Sequence, residues 1–255
     1  MTDSRPIALI SALPEETAEL LRDLVADGAE TIAGLTFRRG LIEGQPVILT
    51  ETGIGKVNAA LVTALAVERY GARAVIVSGV AGALDPELGI GDVVVATRLV
   101  QHDYGRAIDG GIETYQPGDL PFGRRRAKVG YELPPSLVEA ARAVLAGLKL
   151  PPIPGAGADE TARHPLVRFG AILTGDQFVA SEAVRVRLFA EHGAAAVEME
   201  GSAVAQVADA FGIPWLVVRS VSDLAGRESA VDFARFVGPA AIGAARVVRR
   251  LLPLL

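Results

Sequence analysis

Apolar residues along this chain come in short runs that alternate with stretches of helical spacing. RPIALISAL (5–13), LTFRRGLIEG (35–44), PVILTETG (46–53), ARAVIVSGV (72–80), GDVVVATRLVQ (91–101), VRFGAILTGD (167–176), AAAVEM (194–199) and IPWLVVRSVSD (213–223) read as strands. Between them, PEETAELLRDLVADG (14–28), KVNAALVTALAVERYG (56–71), SLVEAARAVLAGL (136–148), SEAVRVRLFAEHG (181–193), GSAVAQVADAFG (201–212) and VDFARFVGPAAIGAARVVRRLL (231–252) read as helices. The first of these opens on Pro and acids and closes on Gly, as helix start and stop signals should. Strands alternating with helices predict parallel βαβ units. AVIVS and LVVRSV are apolar at nearly every position, as strands covered on both faces are. The expected fold is therefore α/β: a single three-layer αβα domain over 1–255 with a central mixed, mostly parallel twisted sheet. The pair within 35–53 reads as an antiparallel hairpin insert. Residues 105–135 and 149–166, rich in Gly, Pro and charge, read as loops that decorate one core. The RRR run at 124–126 reads as a solvated loop.

Composition narrows the chemistry. The chain has 255 residues, enough for one large α/β domain or two small ones, and half of them are apolar, which excludes disorder. It has no Cys, so disulfides, thiolate metal sites and a Cys nucleophile are excluded. His102, His164 and His192 show no ligand spacing, so no metal site and no cofactor are expected. A net charge of -5 argues against a nucleic-acid partner. No run approaches the ~20 apolar residues that span a bilayer. The first apolar run, 7–13, lacks the basic flank and cleavage site of a leader. A cytoplasmic protein with no membrane partner is the expectation.

Ligands of open α/β sheets bind beyond the carboxyl ends of the strands. Those ends carry Pro14, Glu15 and Glu16; Val80, Ala81 and Gly82; Asp176, Gln177 and Phe178; Glu198, Met199 and Glu200; and Ser222 with Asp223. Acidic groups recur at four of five ends, and gathering like charges costs free energy unless a ligand or hydrogen bonds use them. Singly, each has an ordinary reading. Glu15 and Glu16 could complement a helix dipole, Glu198 and Glu200 could be helix-start acids, and Asp223 could be an N-cap. The glycines of TGIGK (52–56) and GVAG (79–82) could be plain turns. GIGKVN (53–58) lacks both the third glycine of a dinucleotide fingerprint and the pattern of an ATP-binding P-loop. GSAV (201–204) is not a nucleophile elbow.

ISALPEE (10–16), TGIGKVNAA (52–60), SGVAGAL (78–84), GDVVVA (91–96), TGDQFV (174–179), VEMEG (197–201) and VRSVSD (218–223) together resemble the 5'-methylthioadenosine/S-adenosylhomocysteine nucleosidases, the hydrolytic branch of the purine nucleoside phosphorylase and uridine phosphorylase superfamily. The resemblance implies a nucleoside phosphorylase-like fold and hydrolysis of a 5'-modified adenine nucleoside without metal or cofactor. It implies Glu16 as the base for the attacking water, Glu200 as the carboxylate on the ribose hydroxyls, and Asp223 as the acid at purine N7, aided by Ser222. It places Phe178 on the adenine face, the Val179 backbone at the adenine edge, Met199 against the ribose and Phe233 at the 5' substituent. Arg219 would support the Asp223 loop, and Ile54, Val80, Ala81 and Gly82 complete the substrate-binding set. A homodimer is implied, with 101–122 contacting the neighbour's 5' pocket. Val80 stands where such proteins usually carry Ser or Thr, and Leu13 and Pro14 where they often carry Met and an acid. These departures bear on the 5' group more than on the reaction. A sister nucleosidase for another 5'-modified nucleoside (futalosine or adenosylhopane type), a phosphorylase and a noncatalytic binder remain the alternatives; the last predicts a broken acid/base set, yet Glu16, Glu200 and Asp223 are all present.

Overall fold

The computed structural model describes residues 4–120, 122–124, 126–157 and 161–255. Arg125, the middle of the RRR run, and part of the 149–166 loop lie outside the described residues.

One sheet organises the molecule. Its strands are β1 (Ile7–Ser11), β2 (Val25–Ile32), β3 (Leu35–Ile42), β4 (Gln45–Glu51), β5 (Ala74–Ala83), β6 (Val93–Gln101), β9 (Tyr131–Glu132), β10 (Val167–Thr174), β11 (Ala196–Glu198) and β12 (Trp215–Asp223), while β7 (Gly105–Ile108) and β8 (Gly111–Thr114) make a separate hairpin. The spatial order is β11-β10-β6-β12-β5-β1-β4-β3-β2, with β9 on β6. The ladders β5–β12 and β6–β10 are long and parallel, β6–β12 is antiparallel, and β11 also pairs antiparallel with β5. That last pairing curls one end of the sheet into a closed ring, which brings the ends of β5, β11 and β12 together.

Helices cover both faces. α1 (Pro14–Asp23), α3 (Pro135–Leu145) and α6 (Ser229–Leu251) pack together on one, and α2 (Lys56–Tyr70) and α5 (Gly201–Ala210) on the other, with α4 (Glu182–His192) between β10 and β11 in the chain. β1, β5 and β12 are buried at every position, as their unbroken apolar runs require. α2 and α4 each stop on a left-handed glycine, Gly71 and Gly193.

Three expectations need correction. The helix predicted to run to 28 stops at Asp23, and Val25–Ile32 is an edge strand paired antiparallel with β3, with a bulge before Gly28. This strand is mostly exposed, so it carries little of the apolar alternation that marks a half-buried strand. The 35–53 hairpin is not an insert: β4 pairs in parallel with β1, Ile7 opposite Val47, and lies inside the sheet. The 105–135 stretch holds the β7–β8 hairpin and β9.

Candidate active site

A cavity of about 440 Å³ opens at the carboxyl ends of the curled strands, a size that suits a nucleoside. Leu13 and Glu16 reach it from beyond β1; Val80, Ala81 and Gly82 from β5; Phe178 and Val179 from the segment after β10; Met199 and Glu200 from the turn between β11 and α5; Ser222 and Asp223 from β12; Ile54 from the loop before α2; and Phe233 from α6. Among the candidate residues, only Arg219 is absent from its lining. Sequence reasoning overlooked Ala12, Val197 and Ala230 as wall residues. Ala12 follows β1, Val197 lies in β11 and Ala230 in the first turn of α6, where apolar character alone gives no signal of a cavity wall.

Glu16 sits in the first turn of α1 and is 2% exposed. Its Oε2 accepts hydrogen bonds from the backbone N–H groups of Ala12 (2.8 Å) and Leu13 (3.0 Å), and its Oε1 accepts from Val80 N–H (2.8 Å). The helix-start reading of this acid is thus part of the geometry, and it fixes the carboxylate at the cavity wall. Burial raises its pKa, while Arg219 and the three N–H donors pull against the rise. A Cβ at Gly79 would collide with Glu16 Oε1 and Arg219 Nη1, so only glycine lets β5 pass this close.

Arg219 is 1% exposed and lies beneath the cavity. It does not support the Asp223 loop as expected. Residue 223 is four positions further on, roughly 13 Å along an extended strand, and the guanidinium turns instead to three carboxylates. Nη1 is 3.6 Å from Glu16 Oε1, and Nη2 meets Glu198 Oε2 and, at 2.9 Å, Glu200 Oε2. Burial disfavours its charge, but Glu198, Glu200 and Glu16 outweigh that and hold its pKa above the usual arginine range. One cation thus faces three carboxyl groups.

Glu198, at the end of β11, uses its oxygens within the protein. It accepts from Thr174 Oγ1, from Arg219, and from the N–H groups of Glu200 (3.1 Å) and Gly201 (2.7 Å) at the start of α5. The helix-start reading is right for this acid. Glu200 differs: its Oε1 accepts from Gly55 N–H at 2.8 Å, across 145 residues of chain. Its pKa is raised, by burial first, lowered by Arg219 and raised again by Glu198.

Asp223 is not an N-cap, since α6 begins only at Ser229. Its Oδ1 accepts from Ala225 N–H (2.9 Å), and its Oδ2 lies 3.0 Å from Ser222 Oγ. Burial raises its pKa against these two hydrogen bonds. Phe178 is half exposed at the cavity mouth and meets Phe233 edge to face, with ring centroids 6.0 Å apart. Among the described residues, no cluster of three or more His, Asp or Glu is spaced to hold a metal ion, and no helix is long and apolar enough to cross a membrane.

An α/β sheet curled around an apolar cavity, with buried carboxyl groups at its strand ends, defines the class of nucleoside-phosphorylase-like proteins. The Phosphorylase superfamily matches residues 6–253. The chain is 45% identical to the 5'-methylthioadenosine/S-adenosylhomocysteine nucleosidase of Mycobacterium bovis, over 98% of this chain and 97% of that one. Its fold is similar to that of the 5'-methylthioadenosine/S-adenosylhomocysteine nucleosidase of Colwellia psychrerythraea solved in complex with adenine (TM-score 0.81, 32% identity, covering 99% of this chain and 96% of that one). It is equally similar to a futalosine hydrolase of Helicobacter pylori (TM-score 0.81, 30% identity, 99% of both chains). The chain belongs to the 5'-methylthioadenosine/S-adenosylhomocysteine nucleosidase family within the Phosphorylase superfamily.

Proposed function

We propose that this protein hydrolyses the N-glycosidic bond of 5'-modified adenine nucleosides and releases adenine. One observation carries the reading: Glu16 and Asp223, from opposite ends of the chain, line one nucleoside-sized cavity, and burial raises the pKa of both. A purine anion is a poor leaving group, and protonation at N7 makes it neutral. Burial favours the protonated form of Asp223, which suits it to that task, and Ser222 fixes its orientation. Glu16 removes a proton from the water that attacks C1'. The C1'–O bond forms, the C1'–N9 bond breaks, and its electron pair leaves with the adenine. The ribosyl group passes through an oxocarbenium-like state, which an ionised carboxylate beside the sugar stabilises.

Glu200, whose Oε1 accepts from Gly55 N–H, takes the ribose hydroxyls. Phe178 stacks on adenine, the Val179 backbone meets its edge, Met199 lies against the ribose, and Ile54 and Phe233 flank the 5' carbon. Val80, Ala81 and Gly82 form the floor. No phosphate enters this scheme. The whole chain works as one catalytic unit, paired as a homodimer in the cytoplasm. Exposed Ile108, Ile112 and Leu120 support 101–122 as part of that contact.

Incubation with 5'-methylthioadenosine, S-adenosylhomocysteine, 5'-deoxyadenosine and futalosine, with and without phosphate, tests the reading. The expected result is adenine release from the three adenine nucleosides, independent of phosphate. Absolute dependence on phosphate defeats hydrolysis, and turnover of futalosine alone moves the protein to the sister activity.

A further inference from the structure

A second cavity, of about 530 Å³, adjoins the first and shares Ala12, Leu13 and Ile54 with it. The shared residues mark which end of the nucleoside cavity it meets. The N–H groups of Ala12 and Leu13 hold Glu16, and Gly55, next to Ile54, holds Glu200. This is the end of the water and the ribose, not that of Asp223. A substituent leaving the 5' carbon past Leu13 and Ile54 therefore enters the second cavity.

The wall there carries Arg38 from β3 and Glu51 from the end of β4. Arg38 Nη1 stands 4.0 Å from Glu51 Oε1, beyond hydrogen-bond reach, with both side chains about a third exposed. Three other arginine–carboxylate pairs at the surface, Arg69–Glu30, Arg106–Glu113 and Arg126–Asp119, close to 2.6 Å. Among the described residues, neither side chain has a hydrogen-bonding partner, so the fork of N–H donors and the carboxylate oxygens are both available. A cation and an anion set side by side complement a ligand with a carboxylate and an ammonium on one carbon, which is an α-amino acid.

We propose that Arg38 and Glu51 form a subsite for the α-amino-carboxylate end of a 5'-thioether substituent, Arg38 taking the carboxylate and Glu51 the ammonium. This rests on the nucleosidase reading above and extends it to two residues outside the nucleoside cavity. The test compares kcat/KM for adenine release from S-adenosylhomocysteine and from 5'-methylthioadenosine, in the parent, Arg38→Met and Glu51→Gln. Calorimetric affinity for both nucleosides is measured on Asp223→Asn, with and without each change. The loss of a charge-assisted hydrogen bond sets the expected drop for the amino-acid nucleoside at about tenfold or more. The 5'-methylthio nucleoside should shift by no more than roughly twofold, as exposed substitutions do. An analogue whose tail keeps the carboxylate but lacks the amino group should be indifferent to Glu51→Gln while still responding to Arg38→Met. Equal effects on both nucleosides, or none on either, overturn the subsite. If the parent releases no adenine from any nucleoside, the nucleosidase reading fails by itself, and the calorimetric comparison still decides the subsite.

Discussion

In the proposed mechanism one side chain, Asp223, sets both activity and stability. Burial raises its pKa, so its carboxyl holds a proton further into the neutral range than an ordinary aspartic acid. The proposed mechanism needs Asp223 protonated and Glu16 ionised. As pH rises, kcat/KM should climb while Glu16 loses its proton and fall as Asp223 loses its own, with the falling limb above the ordinary aspartate value of about 3.9. A pH profile of adenine release checks this; a fall centred near that ordinary value contradicts it. The sign for stability runs with the same shift. A carboxyl whose folded pKa is raised stabilises the fold below its unfolded pKa, and that stability is lost as pH rises through the folded pKa. Asp223→Asn removes the titration. It should lower turnover by about 10²-fold or more, yet melt higher than the parent at pH 8, with the gain shrinking toward pH 5. The acids themselves were legible in the sequence as strand-end residues. Their division of labour was not. Spacing along the chain cannot show that Glu198 spends its oxygens on Thr174, Arg219 and two N–H groups. Nor can it show that Arg219 turns toward those carboxylates and away from residue 223.

Among the elements, the loops around the cavity are held by one lysine. Lys56, at the start of α2, places Nζ 2.6 Å from Asp103 Oδ1 and 3.7 Å from Asp176 Oδ2. Its backbone N–H donates to Asp176 Oδ1 at 2.9 Å, and Asp176 N–H donates to Asp103 Oδ2 at 2.8 Å. Three segments are thereby tied: the glycine loop that offers Gly55 N–H to Glu200, the end of β6, and the loop that carries Phe178. Lys56→Met leaves Asp103 and Asp176 facing each other with no cation between them. KM should rise by about tenfold, more than kcat falls, and the melting temperature should drop by several degrees, as a partly buried ion pair broken on one side predicts. Unchanged KM with a lowered melting temperature confines Lys56 to stability. A second test sits on β5. Gly79→Ala drives a methyl into Glu16 and Arg219, so it should cost at least about 2 kcal/mol and most of the activity. Denaturant midpoints and turnover measure both. Elements with both faces covered, β5 and β12, announced themselves by unbroken apolar runs. β2 did not, because an edge strand that buries little needs few apolar residues, and the β7–β8 hairpin is likewise mostly exposed.

At the scale of the whole molecule, the homodimer proposed above can be tested on the apolar residues left outside the core. α2 buries Ala59, Val62 and Ala66 against the sheet and yet exposes Val57 (79%) and Leu61 (44%), one turn apart on its other side. A helix apolar on both sides is ordinarily covered on both. Asp103 is tied to Lys56, so the chain after β6 leaves the sheet beside the start of this helix, and residues 105–120 expose Ile108, Ile112 and Leu120. Ile54, which lines both cavities, lies just before α2 and is itself half exposed. A second copy seated on this face would cover Val57 and Leu61 and close the 5' side of each nucleoside cavity at once. Sedimentation equilibrium should therefore give twice the chain mass for the parent and a single chain mass for the double variant Val57→Asp, Leu61→Asp. These side chains face away from the sheet, so the variant should still melt cooperatively. Its KM for 5'-methylthioadenosine should rise more than its kcat falls, because the chemistry at Glu16 and Asp223 stays in place while one wall of the 5' pocket is lost. A variant that remains paired, or that separates with KM unchanged, removes this face from the interface or the partner from the pocket.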